Sequence, residues 1–178
     1  MADLEFYQLG NDLEAETIRI QNLYLSDEID DSIRSEFGPT VESYTTLSHT
    51  DLMDRVSSKY FGENSDGAGW LATVDGIDVG MAAWAIRDFK YHGQEKFTRG
   101  INASAWLLKS VRGAGFGNKI IAHATEDARI AGDRLQLQVW TSIRPENIAS
   151  RRACESAGFR IAGIHGNLPD RRLYLLEN

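Results

Sequence analysis

The chain reads as a single α/β domain, residues 1–178, built on a mixed sheet, and three features of its pattern lead there. Apolar runs of strand length alternate with stretches whose apolar residues recur at helical spacing, the order that lays helices on a sheet. Asp75-Gly76, set between two apolar runs, is a two-residue hairpin turn. Beyond residue 107 a strand-like run passes through Gly113, Gly115 and Gly117 straight into a helical pattern.

Taken in order, Leu4 to Leu9 alternate as a first strand. Asp12 is placed to cap a helix to about Leu25, with Leu13, Thr17, Ile20 and Leu23-Tyr24 as its inner stripe. An acidic helical stretch follows over Asp27–Phe37 and stops at Gly38-Pro39. A further helix starts at Ser48 or Thr50 and runs through Leu52, Met53, Val56 and Tyr60. After the polar loop Gly62–Gly67, Trp70–Val74 and Ile77–Arg87 pair as the hairpin, with Gly80 marking a bulge. His92–Gly100 is a polar connection, and Ile101–Leu108 alternates as the strand that feeds the glycines. The next helix carries Ile120, Ile121, Ala124 and Ala128 on one stripe and ends near Gly132. Leu135, Leu137 and Val139 share one face of the following strand. A helix over Asn147–Ala157 and strands over Phe159–Ala162 and Arg172–Leu176 complete the chain. The four tryptophans, Trp70, Trp84, Trp106 and Trp140, read as core, with Trp84 and Trp140 also candidates to line a pocket.

Charge narrows the range of partners. The net charge is −7, and residues 1–66 hold 15 of the 26 acidic residues but only 4 of the 19 basic ones. Nucleic acid needs a basic footprint and is excluded as a partner. The acidic first part suits a cationic amine and the mildly basic remainder suits an anion; a well-solvated acidic surface explains the same asymmetry. The apolar runs fall short of a membrane span. The first residues lack the basic and apolar regions of a secretory signal, and one cysteine allows no internal disulfide. A cytoplasmic protein that does not bind membranes is expected.

The stretch Leu107-Leu108-Lys109-Ser110-Val111-Arg112-Gly113-Ala114-Gly115-Phe116-Gly117 has the character of an anion cradle. Glycines let successive backbone N–H groups turn toward one point. A helix beginning beside them adds unpaired N–H groups and a partial positive charge. A phosphate or pyrophosphate fits such a place. The dinucleotide fingerprint has its third glycine one residue later, and the nucleotide P-loop needs Gly-Lys-Ser/Thr, which Gly117-Asn118-Lys119 does not supply.

The segment resembles the R-G-x-G-x-G loop of the GNAT superfamily of N-acetyltransferases. A second stretch, Asn147-Ile148-Ala149-Ser150-Arg151-Arg152-Ala153-Cys154-Glu155-Ser156-Ala157-Gly158-Phe159, is similar to that superfamily's Asn-led helix ending in Gly-Phe. The Ala-Ser-Arg-Arg variant looks like the branch that acetylates N-termini of ribosomal proteins. The resemblance implies the GNAT fold, a mixed, mostly antiparallel sheet of about seven strands flanked by helices. An acceptor-side helical part would span about 10–62 and a cofactor part about 100–163. The implied reaction is transfer of an acetyl group from acetyl-coenzyme A to a primary amine by direct attack. The acceptor would be a protein N-terminus or a small-molecule amine, and no metal is implied. GNAT enzymes are often dimers, and Arg172–Leu176 would lie near an edge open to a second subunit.

By the same resemblance Leu107, Leu108 and Lys109 would pair with the pantetheine arm, and Arg112, Gly113, Ala114, Gly115, Phe116 and Gly117 would hold the pyrophosphate. Asn147, Ser150 and Cys154 would meet the cofactor from one helix face. Many GNAT enzymes carry a tyrosine where Cys154 stands, and it protonates the leaving thiolate; in the ribosomal-protein branch a serine at the Ser150 position has that role. Ser150 is therefore the catalytic candidate, although an N3 hydroxyl also serves its own helix turn. Cys154 reads as a buried structural thiol, since no activating histidine is evident. The superfamily's strand glutamate has no equivalent: Asn102, Ser104, Gln136 and Gln138 occupy the matching strands. His92, Glu95, His123, His165 and Asp170 are the remaining candidates for a base, none preferred. The missing tyrosine and glutamate also allow a different class, a catalytically silent acyl-coenzyme A binding module.

Overall fold

The computed structural model describes residues 3–10, 12–30 and 67–177. Of the acidic helix expected over Asp27–Phe37, Asp27–Asp30 form a turn instead and residues 31–37 lie outside the described residues. So do the stop at Gly38-Pro39, the helix expected over 48–60 and residues 62–66 of the loop expected to Gly67, which itself begins a strand. Within them run β1 (Leu4–Gln8), α1 (Leu13–Leu25), β2 (Gly67–Val74), β3 (Ile77–Phe89), β4 (Thr98–Leu107), a 3₁₀ turn (Lys109–Val111), α2 (Phe116–Leu135), β5 (Gln138–Ile143), α3 (Ile148–Ser156), β6 (Phe159–Ile164) and β7 (Arg172–Leu176). One seven-stranded sheet has the order β1-β2-β3-β4-β5-β7-β6. β4 and β5 are parallel, while β1 with β2, β5 with β7 and β7 with β6 are antiparallel. The sheet is mixed, as the pattern predicts. β7 is flanked on both sides and lies next to the edge strand β6, near an edge as expected.

The chain forms two compact units, Met1–Ala83 with Ala105–Phe116, and Trp84–Ser104 with Gly117–Asn178. In the first, α1 starts at the predicted cap: Asp12 accepts a hydrogen bond from Ala15 N–H at 3.1 Å. The Glu16 carboxylate completes the helix start by accepting from Gly10 N–H at 2.7 Å and Asp12 N–H at 3.1 Å. These bonds let a carboxylate lie almost wholly buried, which apolar periodicity alone does not anticipate. Ile20, Leu23 and Tyr24 then pack with Ile29, Leu71, Met81, Trp106 and Leu108 as one apolar core. The Leu13 side chain lies outside the description. Asp75 and Gly76 have φ of 51° and 76°, the left-handed pair of a tight hairpin turn. Gly80 marks a close approach: a Cβ there would collide with the Trp106 carbonyl.

In the second unit, α2 does not end at Gly132 but continues to Leu135. The left-handed residue that stops it is Gln136, φ 55°. Leu137 N–H reaches back to the Gly132 carbonyl at 2.9 Å, the six-to-one bond of a Schellman cap. Gly132 is a packing residue, since a Cβ would lie 2.8 Å from the Leu137 carbonyl oxygen. Leu135 therefore belongs to the helix and is exposed, and β5 starts only at Gln138. Val139, Trp140 and Thr141 are all buried, because both faces of β5 are covered. Phe89, Trp140 and Leu173 form a second apolar cluster.

Candidate functional site: the glycine turn and the Asn147 helix

β4 registers with β5 over three pairs, Gly100 with Gln138, Ile101 with Val139 and Asn102 with Trp140. β4 itself continues to Leu107 and β5 to Ile143. At the end of β4, Leu108 N–H bonds the Val79 carbonyl of β3 at 2.8 Å. Strand alternation turns the Leu107 groups the other way. The Leu107 carbonyl there accepts two hydrogen bonds from Arg112, from Nε at 3.0 Å and Nη2 at 2.8 Å.

The remaining Arg112 donor, Nη1, reaches Asp30 Oδ2 at 2.5 Å, and Lys109 Nζ lies 3.3 Å from Oδ1 of the same carboxylate. Lys109 N–H donates to the Glu28 carbonyl at 3.1 Å. Ser110 donates to the Glu28 carboxylate through its N–H at 3.3 Å and through its hydroxyl. The hydrogen bond from Arg112 outweighs desolvation and, with Lys109 also near, holds the Asp30 carboxyl below the usual carboxylate range. The turn after α1 thus grips the root of the glycine stretch. Local pattern could not supply this, because 82 residues separate the partners.

Past the root, Gly113 and Gly115 take φ of 83° and 85° and alternate with Ala114. Nothing lies within 4 Å of a Cβ placed at either, so backbone conformation and not crowding demands glycine there. α2 begins at the next residue, Phe116. Turned N–H groups running into a helix start can hold an anion. The Arg112 guanidinium is engaged on Leu107 and Asp30, and its N–H donates to the Lys109 carbonyl at 3.2 Å. The Arg112 side chain thus braces the turn. Leu107 and Lys109 also have backbone groups engaged within the chain, the Leu107 carbonyl by Arg112 and the Lys109 N–H by the Glu28 carbonyl.

A family model for the acetyltransferase (GNAT) domain matches residues 19–160. The chain belongs to the GNAT acetyltransferase family. As a member it is an acyltransferase. No curated protein matches the chain. Solved structures share the GNAT fold with it. A chimera of spermidine N-acetyltransferase SpeG from Vibrio cholerae and hSSAT is 15% identical, with a TM-score of 0.61, covering 97% of this chain and 94% of that one. Aminoglycoside acetyltransferase AAC(6')-Ib, in complex with coenzyme A, is 16% identical with a TM-score of 0.63, covering 99% and 95%. A GNAT-family acetyltransferase from Streptococcus pneumoniae is 14% identical with a TM-score of 0.62, covering 98% and 100%.

In this GNAT domain Asn147 is the N-cap of α3, accepting from Ser150 N–H at 3.1 Å. The capping oxygen comes from Asn147, so the cap does not use the half-buried Ser150 hydroxyl. Cys154, one turn on, is buried, and burial foremost, with Glu155 adding, pushes its thiol up to about 12. A raised thiol pKa disfavours the nucleophilic thiolate form. Arg151 ties the helix to β7 by donating to the Tyr174 hydroxyl at 3.2 Å and to the Pro145 carbonyl at 3.1 Å.

The candidate bases fall in unlike places. His92 and Glu95 are exposed, and Asp170 pairs with Arg144 at 3.2 Å. His165 is buried, and its Nδ1 accepts from Asn167 and Leu168 N–H, each at 3.2 Å. That nitrogen organises its own turn and is not free to take a substrate proton. Burial lowers the pKa of His123 on α2, with Asp127 opposing. Trp84, a candidate pocket wall, donates through Nε1 to Asp127 of α2 at 2.5 Å. Asn102 and Gln138 direct their amides to the Trp140 and Leu176 carbonyls. Among the described residues no cluster of three or more His, Cys, Asp or Glu is placed to hold a metal ion, and no helix is long and apolar enough to cross a membrane.

Proposed function

We propose that this protein transfers an acetyl group from acetyl-coenzyme A to a primary amine. The observation that carries the reading is the turn Gly113–Gly115: two left-handed glycines with open space around them, leading directly into the start of α2. These residues fit a pyrophosphate, whose charge they would meet with backbone N–H groups. Gly113, Ala114, Gly115, Phe116 and Gly117 would hold it, with Arg112 positioning them. Coenzyme A when bound supplies the thioester. The part of β4 beyond its register with β5 would offer backbone groups to the pantetheine arm.

The chemistry is direct. The neutral amine forms the C–N bond as the C–S bond breaks, the amine loses a proton and the departing thiolate gains one. Ser150 would donate a hydrogen bond toward that sulfur, in place of the tyrosine that Cys154 replaces. Cys154 takes no part beyond packing. A lysine-like amine is neutral in only about 1 molecule in 2,500 at pH 7, so a proton acceptor is needed. His92 and Glu95 are exposed, Asp170 pairs with Arg144 and His165 Nδ1 accepts from its own turn, and we assign the step to water.

For the acceptor we propose a cationic amine, either a small polyamine or aminoglycoside or a protein N-terminus of the ribosomal-protein kind. Its support is the acidic excess of residues 1–66 and the substrates named for the spermidine and aminoglycoside enzymes. We propose one catalytic domain, located in the cytoplasm.

A thermal-shift comparison of acetyl-coenzyme A, desulfo-coenzyme A, NAD and ATP tests the cofactor. A ligand at one hundred times its dissociation constant stabilises by about 2.7 kcal/mol. Shifts with the two coenzyme A ligands alone support the reading. Shifts with NAD or ATP alone, or none at all, overturn it.

A further inference from the structure

We infer that Asp30, together with Glu28, is a positioning element for coenzyme A: it holds the root of the glycine turn in its binding shape without touching the ligand. The inference rests on the cofactor reading above. Its basis is a closed set of contacts in one compact unit. One Asp30 oxygen takes Arg112 Nη1 at 2.5 Å and the other lies 3.3 Å from Lys109 Nζ. Glu28 takes the Lys109 N–H on its carbonyl and the Ser110 N–H and hydroxyl on its carboxylate. Ile29 between them is buried in the same core as Trp106 and Leu108, so the turn carrying both carboxylates is fixed to the strand that leads into the loop.

The geometry gives Asp30 a specific task. Arg112 crosslinks the Leu107 carbonyl to Asp30, and the residue after Arg112 is the left-handed Gly113. A guanidinium without Asp30 would keep only the neutral carbonyl as partner. It would be drawn to the pyrophosphate as a mobile cation, and the backbone it anchors would lose its fixed direction. All of these bonds are charge-assisted, since Arg112 is ionised, and Asp30 alone among these partners adds an opposite charge to the brace. Preorganising a loop appears in ligand affinity, because less ordering remains to be done on binding.

Calorimetric titration of coenzyme A into wild type, Asp30→Asn, Asp30→Glu, Arg112→Gln and the double variant Asp30→Asn/Arg112→Gln tests this. Asp30→Asn should weaken binding by about tenfold, and Asp30→Glu should recover most of it. In the Arg112→Gln background the Asp30→Asn change should add nothing further. In turnover, the KM for acetyl-coenzyme A should rise while kcat and the amine KM stay within about twofold, a split that general loss of folded protein does not give. Should Asp30→Asn fail to fold, Glu28→Gln should raise the same KM by a smaller factor. Equal affinity in wild type and Asp30→Asn, additive losses in the double variant, or an unchanged KM in Glu28→Gln overturns the inference while leaving the cofactor reading intact. A wild type that does not bind coenzyme A overturns both.

Discussion

The thiol of Cys154 and the imidazole of His165 are two groups that a sequence offers as chemistry and that burial assigns to structure. Burial pushes the Cys154 thiol up to about 12, so at pH 8 almost none is thiolate. Native protein should resist iodoacetamide at pH 8 and react once unfolded, and Cys154→Ala should retain acetyl transfer; mass spectrometry and a thiol-release assay read the two outcomes. For His165, burial foremost, with Arg171 adding, lowers the pKa, and Nδ1 must be unprotonated to accept from Asn167 and Leu168. The sign follows from linkage. The unfolded chain takes up this proton near pH 6.5, whereas the folded chain resists until lower pH. The stabilisation is complete above about pH 6.5 and is lost as pH falls toward the lowered folded value. His123 adds a contribution of the same sign. Melting temperature measured from pH 8 to pH 5 should fall less steeply in His165→Ala than in wild type; equal slopes would contradict the assignment.

At the scale of elements, two glycines separate packing from backbone conformation. In an exposed helix interior Gly→Ala stabilises by about 1 kcal/mol. At Gly132 the added Cβ would meet a carbonyl oxygen at 2.8 Å, and overpacking costs about 1–3 kcal/mol. Gly132→Ala should therefore lower the denaturant midpoint, and a rise would contradict the packing role. At Gly115 the cause is φ 85°, with open space around it. Left-handed strain costs about 1–2 kcal/mol, so Gly115→Val should be modestly destabilised yet lose most coenzyme A binding in calorimetry. Asn147→Ala should cost about 1 kcal/mol in a urea melt, the usual worth of a helix cap. The sequence makes these elements legible where a local rule governs: Asp12 and Asn147 as caps, Asp75-Gly76 as a hairpin turn. It misleads at Gly132, where glycine is used for close approach and Gln136 takes the left-handed stop that glycine usually fills.

For the molecule as a whole, the class and the family were readable because two motifs lie in short continuous stretches, the turn through Gly117 and the helix from Asn147. What was not readable is assembled across the chain: Asp30 on Arg112, Trp84 on Asp127, Arg151 on Tyr174. Each such pair joins residues far apart in sequence, where periodicity carries no signal. The same reasoning explains why the bracing contacts of Arg112 on Asp30 and Leu107 are not legible from its place in the motif. The central claim is that a thioester bound on this turn loses its acetyl group to an amine. Its most direct measurement is release of free coenzyme A thiol from acetyl-coenzyme A, followed with spermidine, an aminoglycoside and an alanine- or serine-led peptide, and compared between wild type and Gly115→Val. The account predicts amine-dependent release by wild type with at least one of these acceptors, its product acetylated by mass, and loss of that rate in Gly115→Val. Coenzyme A binding without release for any amine would contradict it and leave a protein that holds the cofactor without using it.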